Sequence, residues 1–84
     1  MLMKSVPVKV QEIYVPTKFR GTLDPKKVAE LAESIVDKGG LQTPIQVRQD
    51  KDRYVLVAGL HRLEAIRSLG ETTIQAFIVH ARLH

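Results

Sequence analysis

The chain has 84 residues, no cysteine, three histidines and a formal net charge of +4, with thirteen basic side chains against nine acidic ones. That length supports one small domain with a thin core, for which association into a homodimer is an open expectation, and the missing cysteine excludes disulfides, thiolate catalysis and cysteine metal sites. No apolar run is long enough to cross a bilayer and Met1-Leu2-Met3-Lys4 has no signal-peptide character, so the expectation is a cytoplasmic protein without membrane contact.

In chain order, Val8 to Val15 alternates roughly in twos and predicts an opening strand that Pro16 stops. A polar loop follows, Thr17 to Thr22. Asp24-Pro25 then supplies a helix N-cap and a proline at the first helical position. This helix is predicted to run to about Lys38, with Val28, Leu31, Ala32 and Ile35 on one core stripe, and Gly39-Gly40 ends it. Pro44 to Arg48 reads as a second strand, turning through Asp50-Lys51-Asp52 into the apolar strand Tyr54 to Ala58. A second helix is expected from about Leu60 to Leu69, closed by Gly70, and a last strand near Ile74 to Val79. The closing strand, helix and strand read as a βαβ unit with a right-handed crossover. With no repeat and no linker, residues 1–84 form one α/β (α+β) domain: a small mixed sheet of about four strands with two or three helices.

The most informative stretch is Val55 to Ala65, where the strand breaks at Gly59 and a His61-Arg62 pair falls on the first turn of the next helix. First-turn N–H groups have no intrahelical partner and the macrodipole adds positive charge there, so the position suits an anion. Gly59 allows close approach of the backbone, Arg62 offers a planar fork, and His61 can donate or carry a proton. Together they read as a phosphate cradle at a helix N-terminus; the alternative is a tight strand-to-helix turn with a solvated His-Arg pair. The mild positive charge and the scarcity of aromatics, two tyrosines and two phenylalanines without tryptophan, fit a nucleotide better than a polynucleotide. His61, His80 and His84 are too dispersed to make a metal site by spacing, and His80 and His84 are expected to be solvated.

Three blocks, Leu23 to Val28 leading into Ala32 to Ile35, Gln42 to Val47, and Gly59 to Ala65, together resemble the superfamily of the ParB N-terminal domain and sulfiredoxin over almost the whole chain. In sulfiredoxins the last block reads Gly-Cys-His-Arg, and its cysteine attacks a phosphorylated sulfinic acid. Leu60 holds that position here, and a leucine has no nucleophile, so this repair chemistry is excluded. What the resemblance retains is the binding half of the site. It implies that Gly59, Leu60, His61 and Arg62 lie at the phosphates of a nucleoside triphosphate, CTP or ATP, with Mg2+, and that Lys27 faces the same phosphates. It further implies that Gln42 and Thr43 line the base side and that Arg20 stands near the ligand. Ser34 and Glu30 follow Lys27 on the same helix face. Full ParB proteins continue into a helix-turn-helix domain, which this stretch does not include.

Lys26 and Lys27 stand near a helix N-terminus, where cations oppose the macrodipole, which favours an anion close to Lys27. Lys18 is expected to be solvated. Other branches of the superfamily are nucleases and free serine kinases, so Glu30 and Glu64 are candidate catalytic carboxylates, although Glu64 is also placed to pair with Arg67 or Arg62 on its own helix. Three functional classes follow: a nucleotide-binding domain linked to plasmid or chromosome partition or other DNA-associated processes, a nuclease or phosphoryl-transfer enzyme, and a DNA- or protein-interaction domain without ligand. Salt separates the first from the last, because contacts to DNA weaken steeply with ionic strength while a pocketed nucleotide weakens less.

Overall fold

A computed structural model of the chain describes residues 4–80; the readings on Met1 to Met3 and on His84 lie outside the described residues. Five strands and two α-helices follow in the order β1 (Val6–Lys9), β2 (Ile13–Tyr14), α1 (Pro25–Asp37), β3 (Ile45–Asp50), β4 (Arg53–Ala58), α2 (Leu60–Ser68) and β5 (Thr73–Val79), with short 3-10 turns at Val10–Glu12 and Thr17–Phe19. The strands form one mixed sheet, ordered β1-β5-β3-β4-β2, so the sheet has one strand more than expected.

The extra strand comes from the opening segment, which is not one strand. Val8, Val10 and Ile13 are all buried, but the three-residue step from Val10 to Ile13 breaks the period of two and would turn Ile13 to the wrong face of a continuous strand. The 3-10 turn, with three residues per revolution, brings both side chains back to the core. On either side of it, β1 pairs antiparallel with β5 and β2 pairs parallel with β4, at opposite margins of the sheet. A flat sheet would hold those margins about 19 Å apart, four spacings of roughly 4.8 Å, whereas the steps from Lys9 to Ile13 reach at most about 14 Å. The sheet therefore curls until one short run of chain joins both edges.

The βαβ expectation also needs correction. β5 runs parallel to β3 and lies beyond it, so it is antiparallel to β4, from which α2 departs. The physical reason is occupancy: β4 is already flanked by its hairpin partner β3 and by β2, and the free side available to β5 is that of β3. Between Gln46 and Val47 the β3–β4 register skips Val57, a bulge just before the chain leaves the sheet.

The core is built from alternate strand residues, Ile45, Val47, Leu56, Ile74 and Ala76, closed by Leu60, Leu63, Ala65 and Ile66 of α2. Of the α1 stripe only Ile35 is buried; Val28, Leu31 and Ala32, partly buried, pack against the core. Both ends of α1 follow the expected chemistry. Asp24 Oδ1 accepts the Lys26 N–H at 3.0 Å with Pro25 at the first position, and Gly40 N–H donates to the Ile35 carbonyl at 2.9 Å at the other end. Asp24→Ala is expected to lower stability by about 1 kcal/mol, the usual worth of an N-cap, measurable as a shifted urea midpoint.

Candidate functional site

At the end of β4 the chain turns through Gly59, with φ 108° and ψ 31°, directly into α2. Two independent constraints demand glycine. Such a φ strains any L side chain, and a Cβ built there would stand 2.6 Å from Ile45 Cγ2, 2.9 Å from its Cβ and 3.2 Å from its Cα. Because the N-cap is glycine, no side chain caps α2, and its first turn contains no acid. The first intrahelical bond runs from Leu63 N–H to the Gly59 carbonyl at 2.9 Å, so the N–H groups of Leu60, His61 and Arg62 are the uncapped donors. They open into a cleft of about 680 Å³.

Of the residues singled out in the sequence, Thr43, Gly59, Leu60, His61 and Arg62 line this cleft. Leu60 is only 8% exposed and also belongs to the core. His61 has a more specific position than a free ring beside the donors. Its Nε2 accepts the backbone N–H of Asp24 at 3.0 Å, tying the start of α2 to the start of α1. A neutral ring that accepts at Nε2 carries its proton on Nδ1, which is then the nitrogen left to donate. The Asp24-capped start of α1 thus lies beside the first turn of α2.

Arg62 is also committed in part. Its Nη1 donates to the Pro44 carbonyl at 2.6 Å and to the Thr43 carbonyl at 3.2 Å, which fastens the segment before β3 to α2. The expectation of a fork wholly free for a ligand is therefore revised: Nη1 holds the protein, and the remaining guanidinium N–H groups make no hydrogen bond among the described residues.

The other expected site residues do not line the cleft. Lys27 is exposed and lies one helical turn before Leu31, which does line it, so both share one stripe of α1. Ser34, half-buried, lies a turn beyond Leu31 on the same stripe, and Glu30 is exposed beside it. Arg20 is exposed at the end of the Thr17–Phe19 turn. Gln42 folds back, its Nε2 donating to the Gly40 carbonyl at 3.0 Å. Glu64 pairs with Arg67 at 3.2 Å, the bland alternative weighed for it. Among the described residues no group of three His, Cys, Asp or Glu side chains could hold a metal ion.

Phe19, Thr22, Leu31, Val57 and Ala58 complete the lining and are not among the expected site residues. An aromatic inside an otherwise polar loop was the available signal for Phe19. Thr22 closes that loop, its Oγ1 donating to the Phe19 carbonyl at 2.6 Å. Leu31 was read as core, and its partial burial is what a residue shared between core and cleft shows.

Comparison with known proteins agrees with this fold. The ParB N-terminal domain model matches residues 3–83. The nucleoid occlusion protein of Halalkalibacterium halodurans is 41% identical over 71 residues, which cover 82% of this chain and 24% of that protein. Sulfiredoxin from Arabidopsis thaliana superimposes with a TM-score of 0.80 at 35% identity, over 92% of this chain and 85% of its own. The C-terminally truncated chromosome-partitioning protein ParB from Caulobacter crescentus, complexed with CTP-γ-S, gives 0.78 at 27% identity, over 93% of this chain and 45% of its own. This chain spans about a quarter of the length of the curated relatives it matches. Among the described residues no helix is long and apolar enough to cross a membrane. A match along nearly its whole length, on a fold shared with sulfiredoxin but without any cysteine, makes this chain a member of the ParB N-terminal domain family.

Proposed function

We propose that the cleft at the start of α2 holds the phosphates of a nucleoside triphosphate, CTP or ATP, and that the domain serves chromosome or plasmid partition or a related DNA-associated process in the cytoplasm. The observation that carries this reading is the uncapped first turn behind Gly59, whose residues Leu60, His61 and Arg62 line the cleft. The free backbone donors and the dipole of α2 favour a charged anion. The ParB of Caulobacter crescentus was solved with CTP-γ-S, which supports the same ligand class here. Lys27, one turn before the lining residue Leu31, is the side chain that would neutralise the outer phosphate. Among the described residues no carboxylate lines the cleft, so a magnesium ion accompanying the nucleotide would be held by phosphate oxygens and water rather than by protein ligands. For the same reason, and because Glu64 is engaged by Arg67, the geometry favours binding over hydrolysis by Glu30 or Glu64.

Calorimetric titration with CTP, ATP and GTP, each with magnesium, tests the reading. Saturable binding of one nucleotide is expected, weakened about tenfold by Lys27→Ala, as for loss of one charge-assisted contact. Lys27 is exposed, so the melting temperature should not move. Heat from none of the three would reject the nucleotide site, and an unchanged Lys27→Ala affinity would reject that residue's role.

A further inference from the structure

Strand alternation places Arg48, Val55 and Val79 on the face of the sheet opposite Val47, Leu56 and Ile78, which pack on the core side. These three residues share a groove of about 480 Å³ with Lys18, Val57 and His80. Its chemistry is lopsided. Every titratable side chain lining it is basic, and its floor is apolar, with Val55 only 3% exposed. Arg48 is half-buried, yet the ion pairs of the described residues, Arg53–Asp50 and Arg67–Glu64, leave it without an acidic partner, and it makes no side-chain hydrogen bond among them. Lys18 stands nearby with its ammonium 5.4 Å from the Phe19 ring centroid. A partly desolvated guanidinium without a counter-charge favours an incoming carboxylate, which it can bind through two parallel hydrogen bonds.

We propose that this groove docks an acidic segment of a partner protein, a carboxylate on Arg48 and Lys18 beside an apolar side chain seated over Val55, Val57 and Val79. Charge complementarity and the floor together select this occupant. Nucleic acid would leave the exposed apolar surface of Val57 and Val79 without a partner, since protein–DNA interfaces are more polar than protein–protein ones, whereas a protein anchor buries an apolar core inside a polar rim. Residues 81–84 of this chain bring Arg82 and no acidic side chain, so they do not complement the rim. The groove is separate from the nucleotide cleft but borders it: Val57 lines both, and the Thr17–Phe19 turn gives Phe19 to the cleft and Lys18 to the groove.

The probe is a blocked peptide, Glu-Leu-Glu-Leu-Glu, titrated into the 15N-labelled 84-residue chain, with the Gln-for-Glu and Ser-for-Leu peptides as controls. Amide shifts are expected at Lys18, Arg48, Val55, Val79 and His80, with about tenfold weaker binding by either control peptide and by the Lys18→Gln/Arg48→Gln variant. Nucleotide binding should be unchanged in that variant, which keeps this result distinct from success or failure at the cleft. The proposal is overturned by any of four results: absence of shifts at millimolar peptide, equal binding of the Gln-for-Glu peptide, shifts confined elsewhere, or a duplex oligonucleotide that shifts these amides when the peptide does not.

Discussion

Gly59→Ala is expected to lower the unfolding free energy by about 2 to 5 kcal/mol, combining roughly 1 to 2 for an L residue in left-handed backbone with about 1 to 3 for overpacking. The overpacking arises because the new methyl would meet the Ile45 side chain at 2.6 Å and the Ile45 backbone at 3.2 Å, and backbone at the centre of a sheet does not step aside. A domain of this size holds about 4 to 13 kcal/mol in all, so the variant should lose a large share of its stability. Gly70→Ala is the control. Its φ of 76° carries similar backbone strain, but nothing lies within 4 Å of the added carbon, and a loss of only about 1 to 2 kcal/mol is expected. Urea unfolding of the two variants measures the difference, and equal losses would mean that Ile45 relaxes freely.

The second large effect falls on Arg62, whose two tasks can be separated. Arg62→Ala removes the donor that holds the Pro44 and Thr43 carbonyls and also removes the proposed phosphate contact. A loss of about 1.5 to 3 kcal/mol in nucleotide binding is expected, the range for hydrogen bonds to charged groups, together with a lowered melting temperature. Arg62→Lys keeps the charge but not the planar fork, so it should fall between wild type and alanine in both measurements. If stability drops while affinity holds, Arg62 is a clamp for the segment before β3 and the phosphates rest on backbone donors alone.

Local chemistry was legible in the sequence. Asp24-Pro25 and Gly39-Gly40 bracket α1 to within a residue or so, and the break at Gly59 marked both the start of α2 and the centre of the cleft. The turn Asp50-Lys51-Asp52 was equally plain, since Asp50 and Arg53 pair across it. What local pattern could not supply was partnership over distance. Nothing near Val8 says that β1 will seek β5 while β2, four residues on, seeks β4. Composition also gave no sign that His61 would take its hydrogen bond from Asp24, 37 positions away, or Arg62 its acceptors 18 and 19 positions back. Residues serving core and cleft together, such as Leu31, carry the signature of the commoner role and hide the other.

The order in which the strands are synthesised differs from the order in which they lie. β5, made last of the five, fills the place between β1, made first, and β3. A growing chain on the ribosome can assemble the β3–β4 hairpin early, but β1 has no neighbour until residues near Thr73 to Ala76 emerge to meet it. Val8 of β1 and Val10 of the turn after it, both buried in the folded domain, lack that partner until then. The polar and constrained positions interleaved with them, Pro7 and Lys9, are residue types that discourage a bare strand from pairing with another nascent chain in the interval.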